Sequence, residues 1–172
     1  QSHTKKLVFH VLGDPLSLDN LVEYLDIAHH YSYQVMITTA GHLINNHPFS
    51  LFTHPALHQL NISLTAYYGG SIPLTIDEYL SAVHNLTTYL LKNKKELFIN
   101  WRFWTHHEEL HNHRLSHQIQ TLLMSYSFDW ENFIKSQKNR FLVQDRFLLN
   151  KDEPFEWPSM NNPCYGEQGY CP

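Results

Sequence analysis

Leu7-Val8-Phe9-His10-Val11-Leu12-Gly13-Asp14-Pro15 decides the fold. A near-continuous apolar run stops at a turn made by glycine, aspartate and proline. A run of that length reads as a strand buried on both faces, the habit of parallel sheets. Helical signals follow at once. Ser17 reads as a cap, and Leu18, Leu21, Val22, Leu25 and Ala28 make one helical stripe. A buried strand that feeds a helix through a short turn is the start of a βα unit.

The same alternation continues outward. Val35-Met36-Ile37-Thr38-Thr39 is a second strand, closed by Ala40-Gly41. A looser stretch between Pro48 and Pro55 predicts a helix around Phe49 to Phe52. Leu60 to Thr65 alternates as a third strand, and Gly69-Gly70 and Pro73 mark a loop. Thr75-Ile76-Asp77-Glu78 is a capping box, in which threonine and glutamate satisfy each other's backbone amides. Ile76, Tyr79, Leu80, Val83, Leu86 and Leu90 form the apolar stripe behind it. Leu97 to Trp104 is a fourth strand. A helix is expected from about Glu108 to Tyr126, a short one from Trp130 to Lys138, and a final strand or hairpin through Phe141-Leu142-Val143 and Phe147-Leu148-Leu149.

Alternating strands and helices with short connections predict an α/β fold with a mainly parallel sheet. Four or five units are too few for a closed eight-fold barrel. An incomplete, TIM-like βα barrel fits, and so does a doubly wound sheet. Either places functional residues at the C-terminal strand ends. Those are Asp14, Thr38, Thr39, Ser63, Thr65, Arg102 and Thr105. The expected division is a barrel over 1–150 and a C-terminal extension over 151–172, which turns irregular with Pro154, Pro158, Pro163 and Pro172.

Composition narrows the rest. The chain has 172 residues, a net charge of −4 and no basic stripe with interleaved aromatics, which argues against nucleic acid. No apolar run approaches the roughly 20 residues that cross a bilayer, so no membrane role is expected. Two cysteines, Cys164 and Cys171, do not make a secreted disulfide framework, and a cytoplasmic protein is expected.

The series of strand ends resembles the radical SAM enzymes. Gly13-Asp14-Pro15 resembles the family's Gly-Glu-Pro segment, which holds the amino group of S-adenosylmethionine. Thr39-Ala40-Gly41 resembles the Thr-Asn-Gly that closes the next strand. Asn61-Ile62-Ser63-Leu64 resembles the Ile-Ser-Leu-Asp strand whose polar residue faces the ribose. Trp101-Arg102-Phe103-Trp104 matches a strand with an inward arginine. Phe155-Glu156-Trp157-Pro158 and Cys164-Tyr165-Gly166 resemble the entry to the SPASM extension, which binds auxiliary iron–sulfur clusters and often serves peptide substrates.

The resemblance therefore implies Asp14, Thr39, Ser63 and Arg102 as cofactor-binding residues, and Cys164 and Cys171 as ligands of an auxiliary cluster. It implies reductive cleavage of S-adenosylmethionine and hydrogen abstraction from a substrate. The chain departs from the pattern at Asp14 and Ala40, where the family has glutamate and asparagine. It also carries no CxxxCxxC loop, and two thiolates cannot hold the [4Fe–4S] cluster that such chemistry requires. The cofactors are expected in an intact protein; this chain alone is expected to bind neither and to be inactive.

Each residue has a plainer reading as well. Asp14 is a common turn residue before proline. Ser63 is a polar position in an alternating strand. Arg102 suits an ion pair with Glu108 or Glu109. Cys164 suits a free thiol or a disulfide to Cys171.

Two other functions compete. Among fourteen histidines, His107-Glu108-Glu109-Leu110-His111 is a formal HExxH, with His117 placed as a third zinc ligand. On one helix that spacing would support a zinc hydrolase. A non-catalytic binding module on the barrel is the third reading. Self-association through an exposed edge at Leu7 to Leu12 is also expected.

Overall fold

The computed structural model describes residues 5–10, 13–68, 72–94, 96–106, 109–113 and 115–153. Six strands form one sheet: β1 (Lys6–Phe9), β2 (Gln34–Thr39), β3 (Leu57–Ser63), β4 (Phe98–Trp104), β5 (Arg140–Gln144) and β6 (Phe147–Asp152). The helices are α1 (Leu21–His30), α2 (Ile76–Asn93), α3 (Ser116–Leu123) and α4 (Trp130–Lys135). Short 3₁₀ turns fill the connections. None of the described helices is long and apolar enough to cross a membrane.

The strand order is β1-β2-β3-β4-β6-β5, parallel throughout except for β5 against β6. Strand order never reverses among the parallel members. A doubly wound sheet needs such a reversal to make its switch point. The winding is thus the one-directional kind of an incomplete TIM-like barrel, and the mixed α/β fold is mostly parallel as the alternation predicts.

Alternation within strands divides the sheet into two faces. One row is apolar and buried: Val35 and Ile37, Leu60 and Ile62, Ile99, Trp101 and Phe103, Phe147 and Leu149. Helices pack on it through Leu21, Leu25 and Ala28 of α1, and through Tyr79, Val83, Leu86 and Leu90 of α2. The capping box forms as expected, with Thr75 and Glu78 bonded both ways. The other face carries Thr38, Gln59, Asn61, Ser63, Asn100, Arg102 and Asn150.

Several boundaries differ from the sequence reading, for identifiable reasons. β1 is an edge strand, so its residues are not buried on both faces, and Val8 is 43% exposed. Ser17 does not cap α1. It ends a 3₁₀ turn over Pro15–Ser17 that Asp14 caps, and α1 starts at Leu21, leaving Leu18 and Val22 on the outside. Leu64 and Thr65 belong to a 3₁₀ turn, not to β3. The last strand, read from sequence through Leu149, runs to Asp152.

The largest difference precedes α3, which begins at Ser116. Before it, the Ser116 hydroxyl donates to the Leu110 carbonyl at 2.6 Å and the Leu115 amide donates to the His113 ring at 3.2 Å. Side-chain bonds replace the helical ladder there, as such residues do when they compete with the backbone. His111 therefore sits in a turn, not on a helix.

β5 and β6 form a hairpin whose turn places Asp145 at φ 48°. Lys151 of β6 is only 6% exposed and points to the helix side. Its ammonium donates to the carbonyls of Phe133, Ile134 and Ser136, the orphan acceptors at the end of α4. Replacing Lys151 by methionine keeps the stem and leaves those carbonyls unpaired. Urea unfolding is expected to show a loss of about 1–3 kcal/mol.

Candidate functional site

The C-terminal strand ends converge first at Asp14. Gly13 before it has φ 125°, a turn that glycine makes without strain. The Asp14 Oδ1 accepts from the Leu16 amide at 3.0 Å. Its Oδ2 accepts from the Thr39 hydroxyl and from the Ala40 amide, both at 2.8 Å. One carboxylate thus ties the loop after β1 to the end of β2. Thr39 is buried and also accepts from the Gly41 amide at 2.9 Å. A carboxylate offers about four acceptor positions. Three are taken, so one remains for a ligand.

The tie is braced from below. The Tyr79 hydroxyl donates to the Ala40 carbonyl at 2.7 Å. Gly41 has φ 85°, and a Cβ there would meet the Ile62 Cγ2 at 2.9 Å and the Tyr79 ring at 3.3 Å. Burial, with the nearby negative charge of Asp14, pushes the Tyr79 phenol well above its ordinary value. Just beyond, the His42 Nδ1 is buried with no hydrogen-bond partner among the described residues.

The second feature crosses the polar face. Asn150 donates to Asn100 at 3.4 Å, Asn100 to Asn61 at 2.9 Å, and Asn61 to Thr38 at 3.0 Å. Gln59 also donates to Asn61, at 2.9 Å. The chain of bonds runs over four strands, and Asn61 and Asn100 are buried. The sequence reading missed the amides. Their signal was present: a single asparagine inside Leu60-Asn61-Ile62 and again inside Ile99-Asn100-Trp101.

The expected site residues are brought together only in part. Asp14 and Thr39 are in direct contact. Ser63 lies on β3 in register with Arg102 on β4, and its hydroxyl has no protein partner among the described residues. Arg102 stands over the Trp104 ring at 5.4 Å. Half-buried, it has its pKa lowered by desolvation. Among the described residues, no carboxylate lies within salt-bridge distance of it, Glu109 included. Glu108, Cys164 and Cys171 lie outside the described residues, as does His107. No group of three metal-ligating side chains occurs among the described residues. His111 in its turn does not supply the second face position that a zinc helix requires.

The fold and site define an α/β sheet of barrel-like winding, with a braced polar rim at the strand ends. No protein-family profile matches the chain, and no curated protein matches it. Among solved structures, archaeal TYW1 is similar, at 23% identity and a TM-score of 0.44 over 72% of this chain. The chain spans 39% of that protein's length.

Two outcomes test the brace. Gly41→Ala meets both an unfavourable φ and a blocked Cβ, and is expected to cost about 1–3 kcal/mol in urea titrations. Tyr79 holds its proton more tightly in the folded state than in the unfolded one. Its contribution is intact below the unfolded pKa of about 10 and is lost as pH rises above it. Stability measured across that range is expected to fall in the native protein and to fall less in Tyr79→Phe.

Proposed function

We propose that this chain is the central part of a radical SAM barrel. The carrying observation is the Asp14 carboxylate, held at the rim by Thr39 and Ala40 with one acceptor position open. An ammonium group suits that position. The Ser63 hydroxyl, half-buried and without a protein partner among the described residues, suits a ribose hydroxyl further along the rim. Thr39 donates to Asp14, accepts from the Gly41 amide and is a positioning residue for Asp14.

These groups fit S-adenosylmethionine. The chain's donors do not fit its iron–sulfur cluster. Three thiolates are needed and the sequence holds two, Cys164 and Cys171. The cluster, where present, supplies the electron that cleaves the sulfonium. The residues described here bind and orient; none of them performs the redox step. The finer reading, a SPASM-type protein with Cys164 and Cys171 on an auxiliary cluster and a peptide substrate, rests on the tail sequence.

The test is anaerobic reconstitution of the complete gene product with iron and sulfide. Reduced protein is expected to show a four-iron signal by electron paramagnetic resonance that shifts on addition of S-adenosylmethionine, and to release 5′-deoxyadenosine. Asp14→Ala is expected to keep the cluster and lose the shift. The 172-residue chain treated in the same way is expected to build no such cluster. A cluster that ignores S-adenosylmethionine in the native protein sinks the reading.

A further inference from the structure

We propose that Arg102 and Arg140 form a binding site for a carboxylate on the polar face of the sheet, separate from the Asp14 rim. Strand register puts Ser63, Arg102, Asn150 and Arg140 in one transverse row across β3, β4, β6 and β5. Paired residues project to the same side, so two guanidinium groups flank one carboxamide. Two strand spacings of about 4.8 Å separate their backbones by about 10 Å, within reach of two long side chains aimed at one small group. A cavity of about 240 Å³ lies between them, lined also by Trp104, Asn150 and Asp152.

Neither guanidinium has a carboxylate within salt-bridge distance among the described residues. Arginine does not shed its charge, so a half-buried and unpaired one is a cost that folding alone does not return. A ligand carboxylate returns it, through the paired geometry that the guanidinium fork favours. The charges in the cavity select the anion. Two guanidinium groups and the Asp152 carboxylate leave one net positive charge. That matches a singly charged carboxylate better than a phosphate dianion. The Lys151 ammonium adds nothing there, since it is held on the opposite face by three carbonyls. Trp104, under Arg102, gives an apolar wall for the body of the ligand.

The carboxylate is not that of an amino acid bound at Asp14. Amine and carboxylate share one carbon in such a molecule, so an amine at Asp14 pins its carboxylate near β1 and β2. Arg102 instead lines a cavity together with residues of β6 and β5. The ligand is a second molecule: a small organic acid or a chain bearing a free carboxyl terminus.

The site can be read without any cofactor, so its failure would leave the radical SAM reading standing. The ¹⁵N–¹H spectrum of the 172-residue chain is titrated with benzoate, N-acetylphenylalanine, their neutral amides and inorganic phosphate. Saturable shifts of the Trp104 indole are expected with the acids, and at least tenfold weaker ones with the amides. Preference between benzoate and N-acetylphenylalanine separates a free acid from a chain terminus. Arg140→Gln, at an exposed position, and Arg102→Lys, which keeps the charge but not the fork, are each expected to weaken binding at least tenfold while the rest of the spectrum is retained. No saturable shift, equal binding of acids and amides, tighter binding of phosphate, or unchanged binding in Arg140→Gln would each overturn the site.

Discussion

Register across the sheet is the constraint on which the structure depends. Side chains alternate faces with a period of two, so a slip of one residue exchanges the faces. In β3 and β4 a slip would drive Asn61 and Asn100 among the helices and turn Ile62 and Trp101 outward. The amides make the cost large, because each is bonded to a neighbour on the adjoining strand. Buried polar groups with partners are tolerated; the same groups without partners cost far more than one bond returns. The hydrogen-bonded row thus fixes the alignment of β2, β3, β4 and β6, and the apolar face follows.

Alignment of the strands decides what the rim can do. Asp14 reaches Thr39 and Ala40 across parallel strands paired with Phe9 opposite Ile37, β2 running two residues further to Thr39. Tyr79 reaches the Ala40 carbonyl only because α2 packs across the same strands. Gly41 permits the approach, since any side chain there would strike Ile62 and Tyr79. A loop with so many fixed bonds has little freedom left to lose when a ligand arrives, which is how preorganisation raises affinity.

The sequence made most of this legible where local chemistry decides the outcome. The capping box at Thr75 and the strands ending at Thr39 and Trp104 rest on neighbours in the chain. It was less informative where distant contacts decide. Leu7 to Phe9 has the composition of a central strand, yet its place at the edge depends on which strands pair, and composition does not encode that. The residues around His111 have helical spacing, but Ser116 and His113 capture backbone groups and stop the helix. Arg140 carries no local signal, because on an antiparallel edge strand its meaning comes only from the register that sets it beside Asn150 and Arg102.

The polar residues of this sheet divide by whether their bonding is complete. Thr39, Asn61 and Asn100 spend most of their capacity on neighbouring side chains and on the backbone, and they hold shape. Asp14 keeps one acceptor position, and Ser63 and Arg102 keep capacity in reserve beside them. Folding alone favours the first arrangement, since a polar group withdrawn from water without a partner raises the free energy of the native state. The second persists where something else supplies the missing bond. Unspent donors next to a frame that does not move to satisfy them are what separates a binding surface from a structural one in this fold. The row from Ser63 to Arg140 meets that description, and the row from Thr38 to Asn100 does not.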